Sequence, residues 1–161
     1  MADPLEQSLI EFFKDTRSNI RGDRLEARQE LQLHVADEIY VGRRSRLPAT
    51  QRTFFALLIQ RLATNHIVDL QGEPCTAIAT VQFVIIGKHK PLLVQKLCDD
   101  VRICIGSYQG DIGENGYIEG STVVRDGMRR PSPPIDATDA WNFAHAIDVR
   151  FTFDQQGVDY V

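Results

Sequence analysis

Cysteine is scarce and unpatterned in this sequence. Cys75, Cys98 and Cys104 are odd in number and form no C-x-x-C pair, which argues against a disulfide framework or a cysteine zinc site. Long apolar runs are missing too. The longest stretch without a charge, Pro74 to Gly87, is interrupted by Thr76, Thr80 and Gln82 and falls short of the about 18 apolar residues a membrane span needs. The first residues, Met-Ala-Asp-Pro-Leu-Glu, open with an acid. Glu6, Glu11 and Lys14 break up any apolar h-region, so no signal peptide is expected. Positive charge is not in excess: 18 Lys and Arg against 22 Asp and Glu leave a formal net charge of −4. That balance speaks against a protein whose main task is gripping nucleic-acid phosphates.

What is present suits a soluble domain of a reducing compartment. A chain of 161 residues is about one domain long at ~150 residues each. Its 43 % hydrophobic content, with 25 % charged, suffices for a core.

Asp3 followed by Pro4 reads as a helix start. Leu5, Leu9, Phe12, Phe13 and Ile20 then recur at roughly helical spacing, predicting an amphipathic helix from residue 4 to about 20, ended by Gly22. Residues 23–34 are mostly charged or Gln, and a second short helix or an extended arm both fit. Gly42 to Pro48 reads as a basic loop. Phe54 to Leu62, dense in Phe, Leu and Ile, predicts a strand. After a turn at residues 69–74, the segment Cys75 to Ile86, rich in β-branched residues, predicts a long buried strand. Pro91 opens a helix whose Val94, Leu97, Val101, Cys104 and Ile105 form one stripe. A glycine-rich loop over 106–120 and a strand over about 117–125 follow. From Trp141 to Asp154, aromatic and aliphatic residues alternate with more polar ones, predicting a strand with one buried and one wetter face. The expected fold is α+β: a mainly antiparallel sheet of about four strands with helices packed on it, in the order α-β-β-α-β-β. Residues 1–34 form an N-terminal helical extension and 35–161 the main part of what is one domain overall.

Chemistry is thinly written. Gly110-x-x-Gly113-x-x-Gly116 has the spacing of a phosphate loop, but carries Asp111 and Glu114 and leads into a strand rather than a helix. His34, Asp37 and Glu38 could share a helix face, yet no second cluster completes a metal shell. His145 lies among Trp141, Phe143 and Ile147 as a hydrogen-bonded core or interface histidine, since a lone His without an acid or nucleophile is not a site. No nucleophile elbow or cysteine-protease signature occurs. Neither an enzyme nor a metal or cofactor is expected. Arg43, Arg44 and Arg46 form one basic patch. Arg125, Arg129 and Arg130 flank a loop continuing Pro131-Ser132-Pro133-Pro134. Neither patch has interleaved aromatics for base stacking. Ordinary solvated loops are the plain reading, and interface arginines the functional one.

The ordered set of segments resembles the tail-completion or tail-terminator proteins of long-tailed bacteriophages, of the lambda type, over about residues 35–155. The likeness rests on Val35-Ala-Asp-Glu-Ile-Tyr40 with Leu47-Pro48, Ala56-Leu-Leu-Ile-Gln-Arg61, and a turn ending in Leu70-Gln71-Gly72. It continues in the strand from Ala79 to Ile86, the helix segment Leu97-Cys-Asp-Asp-Val-Arg102, and a close on Trp141 and Ile147-Asp-Val-Arg-Phe-Thr-Phe153. The charged first 34 residues and the extended loop from Pro131 to Ala140 depart from the family pattern. The resemblance implies a non-enzymatic virion protein of the tail or neck, assembled in the host cytoplasm into a ring, usually of six subunits. Such a ring sits on the last ring of the tail tube, stops its polymerisation and meets the head connector. The implied partners are itself, the tube protein and the connector, with genomic DNA a passing cargo in the lumen and no membrane. A head-side neck adaptor is the alternative, and a small ligand-binding α+β domain using His145 with Asp148 or Arg150 a more distant one.

Overall fold

The computed structural model describes residues 4–16, 20–36, 38–41, 55–68, 74–87, 90–112, 116–129 and 143–154. In chain order these hold α1 (Pro4–Lys14), α2 (Asp23–Val35), β1 (Ile39–Val41), β2 (Phe55–Val68), β3 (Pro74–Gly87), α3 (Pro91–Ile105), β4 (Gly110–Ile112), β5 (Gly116–Arg129) and β6 (Phe143–Asp154). The strands form one sheet ordered β1-β2-β3-β6-β5-β4. Every pairing is antiparallel except the short parallel contact of β1 with β2. The fold is α+β, as the sequence predicts. The four long strands are the expected ones, and the three-residue β1 and β4 are additions at the two edges.

The helices cover one face of the sheet. Phe13 of α1 stacks edge-on to Phe83 of β3 at 5.7 Å, and Phe83 meets Phe151 of β6 at 6.1 Å. Around them Leu5, Leu9 and Phe12 of α1, Leu31 of α2, and Leu97 and Val101 of α3 join Leu57, Ile59, Val81, Ile85 and Val149 in one buried cluster. Gly87 ends β3 where a side chain has no room: a Cβ there would lie 2.5 Å from Val94 and 3.0 Å from Phe55. Absence of that carbon lets α3 descend onto the sheet.

Helix α1 ends at Lys14, well before residue 20. Gly22, expected to close it, instead opens α2: its φ is 63° and its carbonyl accepts the Glu26 N–H at 3.1 Å. The open choice over residues 23–34 resolves as a helix, and its polar side chains explain its placement. Arg24, Arg28 and Gln32, spaced four apart on one face, all donate to carbonyls where the other two helices end. Arg24 Nη1 reaches the oxygens of Cys104 at 3.2 Å and Gly106 at 2.9 Å, and Nη2 that of Ser107 at 3.2 Å. Arg28, 1 % exposed, donates to Phe12 O at 3.2 Å with its guanidinium 5.4 Å from the Phe12 ring. Gln32 Nε2 donates to Phe13 O at 2.9 Å and Asp15 O at 2.8 Å. The last carbonyls of a helix have no partner within it and carry its negative dipole end, which a guanidinium satisfies on both counts.

The last strand departs from its predicted two-faced character. Ala144 to Val149 are all buried, and exposure returns only at Arg150. Ala144 joins Ala56, Leu58 and Ile86 in a second, smaller cluster on the face away from the helices. Beside it, buried Gln82 donates to Asp148 Oδ1 at 3.0 Å. Alanines and a cross-strand amide–carboxylate pair share the burial of that face with Leu58 and Ile86.

Two outcomes follow from this packing. Arg28→Ala should lower the unfolding free energy by about 2–4 kcal/mol, because a buried charged donor is lost and a void is left. Leu33→Lys, at a residue 74 % exposed, should change it by less than about 0.5 kcal/mol; urea titrations of the two variants read the contrast.

Candidate functional site

The arginines singled out in the sequence do not come together as one described site. Arg43, Arg44, Arg46 and Arg130 lie outside the described residues, as does the loop from Pro131 to Ala140. Arg125, the end of the predicted strand, and Arg129 beyond it are both strand residues: β5 runs to Arg129 and pairs them with Asp148 and Ala144 of β6. A bulge between Val123 and Arg125 sets this register, and a bulge leaves no trace in composition or spacing.

The other chemical candidates separate as well. Asp37 lies outside the described residues. His34 sits in the last turn of α2, 3.5 Å from Glu30 Oε1 and edge-on to Phe55. Glu38 has left the helix and is buried, accepting the Tyr40 hydroxyl proton. His34 and Glu38 therefore do not share the helix face that their spacing allows, because α2 stops at Val35. Among the described residues no group of three or more His, Cys, Asp and Glu could hold a metal ion, and no helix is long and apolar enough to cross a membrane. The Gly110 and Gly116 ends of the glycine motif are strand residues of a β4–β5 hairpin, in which Gly110 pairs with Ile118 and Ile112 with Gly116. A strand returns where phosphate binding wants a helix.

His145 is 8 % exposed and sits in register between Ile85 of β3 and Met128 of β5. Asp148 and Arg150 fall on the opposite face of the same strand by alternation. They cannot converge with His145 on one ligand.

The groups with shifted protonation belong to the helical layer. Asp100 of α3, 8 % exposed, accepts a hydrogen bond from Lys96 Nζ at 3.2 Å, and Lys96 lies 3.6 Å from Glu30 of α2. Burial pushes the Asp100 carboxyl above its ordinary 3.8, opposed by the Lys96 hydrogen bond and charge and reinforced by Glu30 and Asp99. Burial likewise pushes the Cys104 thiol up to about 12, against the lowering charge of Arg28. A thiol so placed is a core atom rather than a nucleophile.

One surface cavity of about 620 Å³ opens where α2 begins and α3 ends, lined by residues that include Arg21, Arg24, Tyr108 and Asp111. Arg24 is already committed there to the α3 carbonyls and lies 5.5 Å over the Tyr108 ring. Sequence reasoning missed Arg24, Arg28 and Gln32 altogether. Their spacing of four is a signal in the sequence, but a polar one, which apolar periodicity does not carry.

The fold has a counterpart among solved structures. A chain described as "Virion of native gene transfer agent (GTA) particle" superposes with a TM-score of 0.56 at 15 % identity, covering 81 % of this chain and 87 % of that one. No protein-family model matches the sequence, and no curated protein matches it.

The Asp100 shift has a definite sign. The folded pKa lies above the unfolded one, so between about pH 4 and the raised value the folded chain holds the extra proton, and stability falls as pH rises. An Asp100→Asn variant lacks that loss. Its stability relative to the wild type should therefore increase from pH 3 to 7 in urea unfolding; a difference independent of pH would contradict the shift.

Proposed function

We propose that the protein is a virion structural protein rather than an enzyme, and more specifically that it forms a ring at the head-proximal end of a phage tail tube. There it ends tube polymerisation and joins tail to head. The observation that carries this reading is the shared fold: most of this chain and most of a gene transfer agent virion chain follow one path. The ordered resemblance to tail terminators supplies the finer position within the particle.

The architecture suits that task physically. A ring needs a heterologous contact that closes under rotation, and two different axial faces, one for the tube and one for the neck. A stiff sheet backed by clasped helices supplies a rigid frame, and loops between long strands supply recognition. A net charge of −4 favours a lumen through which DNA slides without sticking. The partners in this reading are further copies of the chain, with six the expected number, the tube protein and the head–tail connector. DNA passes as cargo, and neither a cofactor nor a membrane takes part. A head-side neck adaptor is the second reading, favoured by the same virion likeness, which does not distinguish tail from neck.

Electron microscopy of lysates lacking the gene separates these readings. Overlong, headless tails are the expected result. Headless tails of normal length would move the protein to the neck, and ordinary infectious particles would overturn the virion assignment. Charge reversal of Arg43, Arg44 and Arg46 together, or of Arg129 and Arg130 together, should abolish one attachment while leaving the circular dichroism spectrum unchanged. Normal assembly by both sets would remove those arginines from the interface.

A further inference from the structure

Among the described residues, the two margins of the sheet are each closed at one end only, and at opposite ends. On the β2 side, β1 pairs with residues 57–59, and Glu6 of α1 accepts the Arg61 N–H at 3.4 Å. On the β5 side, β4 pairs with residues 116–118, and the Ser121 carbonyl accepts the Ser107 N–H at 3.0 Å. Beyond these blocks, residues 62–68 of β2 and 122–129 of β5 have a strand neighbour on one side only, among the described residues. The register runs Asn65–Ile78–Thr152–Gly120 across the sheet at one level and Gln60–Gln82–Asp148–Arg125 at another. The open part of β2 therefore lies toward one end of the sheet and the open part of β5 toward the other.

We propose that these two open margins join head to tail between copies of this chain, residues 122–129 of β5 adding to residues 62–68 of β2 in the next copy. This rests on the ring reading above and names the contact that would build it. Three features support it. The open stretches are similar in length. They run in opposite directions, because β2, β3, β6 and β5 alternate in sense, so copies repeated without inversion meet in the antiparallel geometry, whose bonds are the better aligned. And the short edge strands become stops: β4 of one copy lies past the end of β2 in the next, and the next copy's β1 lies past the end of β5. The stops fix a single register, whereas an unblocked edge invites promiscuous pairing.

The dimensions are compatible with closure. Matching the open stretches offsets successive copies by about six residues, or about 20 Å along the strands, while four long strands span about 19 Å across them. The resulting tilt of roughly 45° is at the upper end of what closed sheets adopt. A contact between two different patches of one chain is the heterologous kind that generates rings.

Engineered disulfides test the pairing. Within one chain, β2 and β5 stand three strand spacings apart, about 14 Å, beyond the about 7 Å that a disulfide bridges. Any bond between them is therefore intermolecular. Asn65→Cys is combined in turn with Arg125→Cys and with Gly127→Cys, positions two apart on one sheet face. Each double variant, each single variant and the unmodified chain are supplied as the sole copy in producing cells. Purified particles are oxidised and run on non-reducing gels, with reducing gels reporting how much of the chain they contain. The expected result is a ladder of multimers up to the ring size from at least one double variant, lost on reduction and absent from the unmodified chain. Double variants that enter particles but give no ladder overturn the edge pairing and leave the ring reading intact. Dimers from Arg125→Cys or Gly127→Cys alone would indicate β5 pairing with itself and also overturn it. An unmodified chain missing from the particles would defeat the ring reading, and this proposal with it.

Discussion

The helical layer depends on one interaction, the donation of Arg24, Arg28 and Gln32 to carbonyls at the ends of α1 and α3. Helix α1 has eleven residues, too few to be stable alone in water, where helices below about 12–15 residues are marginal. It reaches the sheet with Leu5, Leu9, Phe12 and Phe13 fully buried, and its last turn is closed by groups from another helix. The far end of α3 is closed the same way. Helix α2 thereby ties two helix ends that are distant in sequence, and it does so with side chains that would ordinarily face water. Burying Arg28 is tolerable because the guanidinium meets a carbonyl and an aromatic ring instead of bare hydrocarbon.

The same interaction shows where reading the sequence succeeded and where it stopped. β3 and β6 were legible because β-branched and aromatic residues alternate over a dozen positions, and α3 because Val94, Leu97, Val101, Cys104 and Ile105 mark one stripe. Helix α2 gave a weaker signal, since its buried apolar residues, Ala27, Leu31 and Val35, stand among the polar side chains, Arg28 included, that also dock it. β1 and β4 span three residues each, too short for any periodicity. Their existence is fixed by long-range pairing. Of the candidate site, the residue types were legible and their strand register was not. Arg125 and Arg129 are placed by a bulge, and Asp148 is drawn inward by Gln82 on a strand 66 residues away.

The sheet's two faces carry different kinds of burial. Toward the helices, large aromatics fill the space and orient one another through edge contacts. On the other face, Ala56, Ala144 and Ala146 keep the surface shallow, and the Gln82–Asp148 pair satisfies its polar groups across β3 and β6. A shallow face held by a directional bond tolerates little slippage, because a one-residue shift would exchange alanine for phenylalanine or isoleucine along β6. Long strands locked in this way give the domain a stiff frame.

The hydrogen bonds described for the α2 clasp end on main-chain oxygens, among them those of Phe12, Phe13, Asp15, Ile103, Cys104, Gly106 and Ser107. Every amino acid carries that oxygen. At the receiving positions, what must persist is where the helix ends, and the side chain is free to drift without the clasp registering it. The specification is concentrated in three donor side chains and diluted everywhere else, so chains built this way can diverge far in sequence while their helices continue to end in the same places.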